Sequence, residues 1–215
     1  GAPTIGSITA SNASLSVAFT AGDSGGSAVT SYKYSTDGGT TFMTRAAGTT
    51  ASPLVISTLS SDGTTALVNG ASYSVQIKAV NANGDGVASA TTAAVPSTTP
   101  SAPTISSITT SNASLSVAFT SGASGGSTIT GYKYSTDGGT TFRTRAAGTT
   151  GSPLVISTLS TDGSTALVNG TSYSVQVQGV NANGDGVAST SVSGVPVTVP
   201  GAPTGVSGVG GAGQV

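Results

Sequence analysis

Residues 67–80 read LVNGASYSVQIKAV, and residues 167–180 read LVNGTSYSVQVQGV. In the first stretch Tyr73, Val75, Ile77 and Ala79 alternate with Ser74, Gln76 and Lys78. That period of two belongs to a strand with one face on a core and the other in water. Its return is one instance of a repeat that runs through the chain. Residues 1–100 and 101–200 are one sequence written twice, identical at 77 of 100 aligned positions and free of insertions. Pro3, Phe19, Tyr32, Asp37 and Pro96 recur at Pro103, Phe119, Tyr132, Asp137 and Pro196. Gly201 to Thr204 then restart the pattern of Gly1 to Thr4, so a longer array is expected, with this chain a window on it.

Working outward, Leu15, Val17 and Phe19 alternate with Ser16, Ala18 and Thr20, which predicts a second half-buried strand. Val29 to Ser35 and Phe42 to Ala46 flank Asp37, Gly38 and Gly39, a hairpin signal because these residues accept the positive φ of tight turns. Asp62-Gly63 and Asn83 to Gly86 punctuate the later strands. Helix has little room, since nearly every ten-residue segment carries Gly, Pro or runs of Thr, Ser and Val. The expectation is all-β, with about seven strands per repeat arranged as a sandwich.

Leu67, Gly70 and Tyr73, repeated as Leu167, Gly170 and Tyr173, carry a resemblance to fibronectin type III domains through the pattern Leu-x-x-Gly-x-x-Tyr. Val80 to Ser89 resembles that family's last hairpin, and Ala2-Pro3-Thr4 its opening. The resemblance covers essentially residues 1–200 and implies tandem immunoglobulin-like β-sandwiches. It also implies a corner at each Tyr, with the hydroxyl bonded to nearby backbone. Phe19 and Phe119 stand where the family usually has a Trp, and Asp62-Gly63 lengthens the connection before the corner. The resulting division is a module over residues 1–97, a linker and second module over 98–200, and a truncated start of a third over 201–215. Val95 to Pro103 holds three prolines in nine residues, which predicts an extended, semi-rigid connection.

Composition limits the partners. Six Lys or Arg and seven Asp, with no Glu and no His, make the chain 6% charged, against about 25% in an average soluble domain. A surface of Ser, Thr, Asn and Gly has almost no long-range field, which argues against nucleic acid as a partner. There is no cysteine, so each module of about 100 residues must rely on an apolar core, feasible at that length. No apolar run approaches the roughly 20 residues of a membrane span, so no membrane insertion is expected. No export signal stands at the N-terminus, so one is expected to have been removed or to lie upstream.

The same inventory bears on chemistry. Catalysis needs groups that move protons, attack or hold a metal, and His, Cys and Glu are all missing. Asp37, Asp62 and Asp85 each sit beside a Gly in a turn, where a carboxylate is expected to cap its own backbone. Asn81, Asn83, Asp85 and Gly86 match the first half of a calcium loop, but Thr92 stands where a bidentate Glu is required. Gly208, Gly210 and Gly213 share the spacing of a dinucleotide fingerprint without a following helix or acidic residue. Asn12, Asn112 and Asn169 open Asn-x-Ser/Thr triplets, which a Ser- and Thr-rich chain produces by frequency alone. Lysine-to-asparagine cross-links need a neighbouring acid, and Lys78 becomes Gln178 in the second copy. The loops Gly22 to Ser27 and Asn81 to Gly86 lie where the family often recognises partners, but they are small and polar.

No enzyme, cofactor or metal is therefore expected. The expected role is a structural spacer, stalk or fibre segment of an extracellular, cell-surface or virion-surface protein. Its partners would be neighbouring modules, and other copies in a fibre or surface layer. The alternatives are an adhesion module whose loops bind a protein or glycan, and an accessory region of a secreted polysaccharide-degrading enzyme.

Overall fold

The computed structural model describes residues 1–45, 49–145, 149–208 and 213, and every regular element among them is a β-strand. The first repeat supplies β1 (Thr4–Ser11), β2 (Ser14–Thr20), β3 (Ser31–Ser35), β4 (Met43–Thr44), β5 (Leu54–Ile56), β6 (Tyr73–Asn81), β7 (Gly84–Asp85) and β8 (Thr92–Ala94). The second supplies β9 (Thr104–Ser111), β10 (Ser114–Thr120), β11 (Gly131–Ser135), β12 (Arg143–Thr144), β13 (Leu154–Ile156), β14 (Tyr173–Asn181), β15 (Gly184–Ala188) and β16 (Val192–Gly194). Within the first repeat β1-β2-β5 form one sheet; β4-β3-β6-β7 form the other, with β8 also on β6. The second repeat duplicates this order.

Period-two patterning puts Leu15 and Val17 of β2 and Leu54 and Ile56 of β5 on the inner face of one sheet. They meet Tyr32, Tyr34, Val75 and Ile77 from the other sheet in a single buried cluster. Fully burying each aliphatic side chain contributes roughly 1.5–3 kcal/mol, which supplies a core without any disulfide. Phe19 packs edge-on against Tyr32, with centroids 4.5 Å apart at 61°, and Phe119 against Tyr132 at 4.6 Å and 63°. An aromatic pair of this geometry thus fills the place where the resemblance puts a Trp.

The structure has the expected seven strands per repeat, the last of them broken in two, which makes eight segments among the described residues. β7 pairs with Val80 and Asn81, whereas β8 pairs with Tyr73 to Val75. Between them Ser89 accepts the Ile77 N–H through its hydroxyl at 3.1 Å, so a side chain replaces part of the ladder. The hairpin at Asp37 is present between β3 and β4, with Gly38 and Gly39 at φ 74° and 94°. Its second strand ends at Thr44, and Ala46, the expected end, lies outside the described residues.

The second repeat has its own cluster, built from Leu115, Val117, Tyr132, Leu154, Ile156, Val175 and Val177. The two buried clusters share no residue, so the chain is two sandwiches in tandem, each closed on its own core. Residues 201–208 are exposed and carry no strand, and the expected second strand of a third module falls on Gly213 to Val215. Of these, Gln214 and Val215 lie outside the described residues, as does Gly210 of the glycine spacing.

Candidate functional site

The residues of the Leu-x-x-Gly-x-x-Tyr pattern meet at one corner of each module. Leu67 is buried, and Val68 N–H donates to Tyr73 Oη at 2.9 Å, closing the loop that leads into β6. Tyr173 accepts the Val168 N–H at the same distance. Gly70 and Gly170 adopt positive φ, and their N–H groups donate at 2.9 Å to Pro96 O and Pro196 O, the first residues of the connections leaving each module. The corner thus fixes both the entry to β6 and the exit of the chain.

The turn carboxylates divide into two kinds. Asp37 accepts from Thr41 N–H, Thr41 Oγ1 and Ser35 Oγ. Partial desolvation works to raise its carboxyl, but these bonds outweigh that and hold it at about 2. Asp62 accepts from Thr65 Oγ1 and from the Thr64 and Thr65 amides, which also hold it at about 2. Asp85 departs from the expectation that it caps its own turn. Lys78 Nζ lies 2.7 Å and Lys33 Nζ 2.9 Å from its carboxylate, and hydrogen bonds from Lys78 and then Lys33 lower its pKa. Lys33 and Lys78 face each other across β3 and β6, so β7 brings Asp85 to a ready-made cationic pair. Lys78 also stands over the Phe42 ring at 4.1 Å. In the second module Lys133 pairs with Asp185 at 2.6 Å, while Gln178 donates instead to Gly186 O.

The side-chain oxygens of Asn81 and Asp85 in the half calcium loop are committed to protein partners. Asn81 Oδ1 accepts the Asn83 N–H at 2.9 Å, and Asn81 Nδ2 donates to Ser24 O and Ser27 O. Of the triplet asparagines, Asn112 Oδ1 accepts from Asn169 Nδ2, and Asn169 Oδ1 accepts the Ala113 N–H at 2.9 Å. Asn69 and Asn12 repeat the arrangement at Ala13. These amides hold Ala13 and Ala113 at φ 48° and 49°, in the left-handed region.

Asn81's bonds bring the two small polar loops, Gly22 to Ser27 and Asn81 to Gly86, together at one end of the first module. Their counterparts in the second module do more: they hold the linker. Thr98 N–H donates to Gly125 O at 2.7 Å. Thr98 O accepts from Asn181 Nδ2 at 2.8 Å and Asn183 Nδ2 at 3.1 Å. Val187 N–H donates to Pro100 O at 3.0 Å, and Ser101 N–H to Ala123 O at 2.9 Å. Asn181, only 5% exposed, also bonds Ser124 O and Ser127 O, so one amide ties the linker to the 122–127 loop. On the other side the corner of the first module touches Gly126. A Cβ there would overlap Gly70 N and lie 2.8 Å from Asn69 C, so a close backbone approach requires glycine at that φ of 83°.

The joint is therefore a bonded junction, more than the extended spacer that three prolines predict. Ser97 to Pro100 engage the second module mainly through main-chain groups, which have no residue signature, and this is why sequence reasoning passed over Thr98, Asn181, Asn183 and Gly126. The corresponding loops of the first module enclose an open groove of about 250 Å³, lined by Gly1, Asp23, Gly25, Ala79, Asn81 and Gly86 among others. Its chemistry is that of amides, carbonyls and hydroxyls, suited to an extended backbone.

No family model matches the chain, and no match is found among curated proteins. Among solved structures the chain is similar to the crystal structure of chicken CNTN1 FN1-FN3 domains. That match has 19% identity and a TM-score of 0.39, over 96% of this chain and 70% of that one.

Proposed function

We propose that the chain is a non-catalytic spacer, stalk or fibre segment of an extracellular or particle-surface repeat protein, and that its working part is the joint. The observation that carries this reading is the linker itself, whose backbone is bonded at Pro96 to the first module and from Thr98 to Ser101 to the second. A linker bonded at both ends holds two sandwiches at a set spacing, so reach grows with module number. Thr98 and Pro100 occupy the loops of the second module that an adhesion module would offer a ligand, which favours the spacer over the adhesin. The near-neutral surface favours a load-bearing or spacing role over charge-steered recognition.

Small-angle scattering tests the reading. A compact globule of this length has a radius of gyration of about 17 Å. The chain should give a clearly larger value, unchanged between low and high salt. A compact value would mean that the modules fold back on each other, and the spacer reading would fall.

A further inference from the structure

The linker and the second module meet as a knob and a hole. Pro100 is buried, and its ring lies against Gly179 of β14. A Cβ on Gly179 would stand 3.3 Å from Pro100 Cβ, 3.5 Å from Tyr132 Cε1 and 3.6 Å from Pro100 Cγ. Gly179 continues the inward-facing row of Tyr173, Val175 and Val177, so the proline ring covers the end of the core where a side chain is missing. The strand itself does not call for glycine. Gly179 has no positive φ, and Ala79 stands at the same place in β6. Glycine inside a strand weakens it and marks a site where another backbone or a ligand approaches closely. Here the approaching group is the linker.

Other glycines of the seat face the linker's main chain first. A Cβ on Gly122, Gly125 or Gly186 would overlap Ser101 O, Thr98 O or Pro100 O, groups that every linker sequence carries, and glycine recurs at positions 22, 25 and 86. Gly179 faces a side chain first, and of these four it is the one replaced between the copies. We propose that Gly179 is the residue that selects the linker at this joint: glycine there admits a proline at position 100, whereas alanine there calls for a smaller linker residue. This deepens the spacer reading and rests on it. A proline ring has no rotamer that would carry it off an added methyl. The displacement, a few tenths of an ångström, therefore falls on the linker backbone, whose Pro100 O accepts the Val187 N–H at 3.0 Å. A module with alanine at this place is consequently a poor successor to a proline-bearing linker, which orders the modules along the chain.

The test is hydrogen exchange on the full 215-residue chain, in a double-mutant cycle of Gly179→Ala with Pro100→Gly. The Val187 amide, bonded to Pro100 O, reports the joint, and the Ser189 amide, bonded to Val177 O at 2.8 Å, reports the module beside it. Gly179→Ala should speed exchange at Val187 several-fold and leave Ser189 no faster, because alanine strengthens a strand that glycine weakens. In the Pro100→Gly background the same methyl should instead slow exchange at Val187, since it fills space that the ring has left. That reversal of sign is the signature of a knob fitted to a hole. Unchanged exchange at Val187 in Gly179→Ala, a change of the same sign or none in the Pro100→Gly background, or equal acceleration at Ser189 would overturn the proposal. Each of those results leaves the spacer reading standing, because the radius of gyration decides that reading separately.

Discussion

Tyr173 offers a sharp test of how each module is held. Its ring is 8% exposed and its hydroxyl accepts the Val168 N–H at 2.9 Å, ahead of β14. Tyr173→Phe keeps the ring and removes the acceptor, which should cost about 0.5–1.5 kcal/mol for a neutral bond. Tyr173→Ala also empties the ring's place in the core and should cost about 3–5 kcal/mol. Hydrogen exchange reads both directly, since the opening constant changes tenfold for about 1.4 kcal/mol. Amides of Val175 and Val177 should then exchange about two- to twelvefold faster in the Phe variant and more than a hundredfold faster in the Ala variant. Val75 and Ile77 provide the internal reference, because their core is a separate cluster and distant sites act additively. Unchanged exchange at Val175 in Tyr173→Ala would refute the corner. Equal acceleration at Val75 would refute the independence of the two cores.

Three further outcomes follow from the turns. Asp37, Asp62, Asp137 and Asp162 titrate at about 2, below the ordinary 3.8, so their stabilisation is present above pH 3.8 and is lost as pH falls toward 2. Circular dichroism should show acid unfolding in that window, blunted when all four are Asn, and a loss of structure already above pH 5, about a unit higher, would contradict the assignment. Ala13→Gly should stabilise the first module by about 0.5–1 kcal/mol, since relief of a left-handed alanine exceeds the entropy cost of glycine; a lowered melting temperature would count against it. Millimolar calcium should leave the melting temperature unchanged, because Asp85 is held by Lys33 and Lys78. A rise that disappears in Asp85→Ala would reverse that conclusion.

Features that depend on near neighbours in sequence were legible in advance. The alternation over Tyr73 to Ala79 places β6, Asp37-Gly38-Gly39 places the first hairpin, and Leu67, Gly70 and Tyr73 locate the corner. Each works because the physical cause lies within a few residues of the signal. Asp85 was misread because its partners are 52 and 7 residues away along the chain and become neighbours only through the β3–β6 register. The split of the last strand escaped for a similar reason, since the Ser89 hydroxyl that interrupts the ladder answers an amide twelve residues earlier. The joint was least legible. Its donors and acceptors are mostly peptide groups, common to every residue, and its main side-chain signature, the Asn181 and Asn183 pair, also fits an ordinary turn.

The bonds at the joint also fix an angle. Thr98, Pro100 and Ser101 are held by peptide groups of the second module while Pro96 is held by the first, so rotation about the connection is restricted as well as its length. Were the same peptide bonds repeated at every junction of a longer array, each would apply the same rotation. Such an array would wind as a screw, with every loop recurring along the axis at a constant angular step. The 23 substitutions between copies, Asp23 for Ala123 and Lys78 for Gln178 among them, would lie on that screw as an ordered series of chemical differences, at positions set by module number.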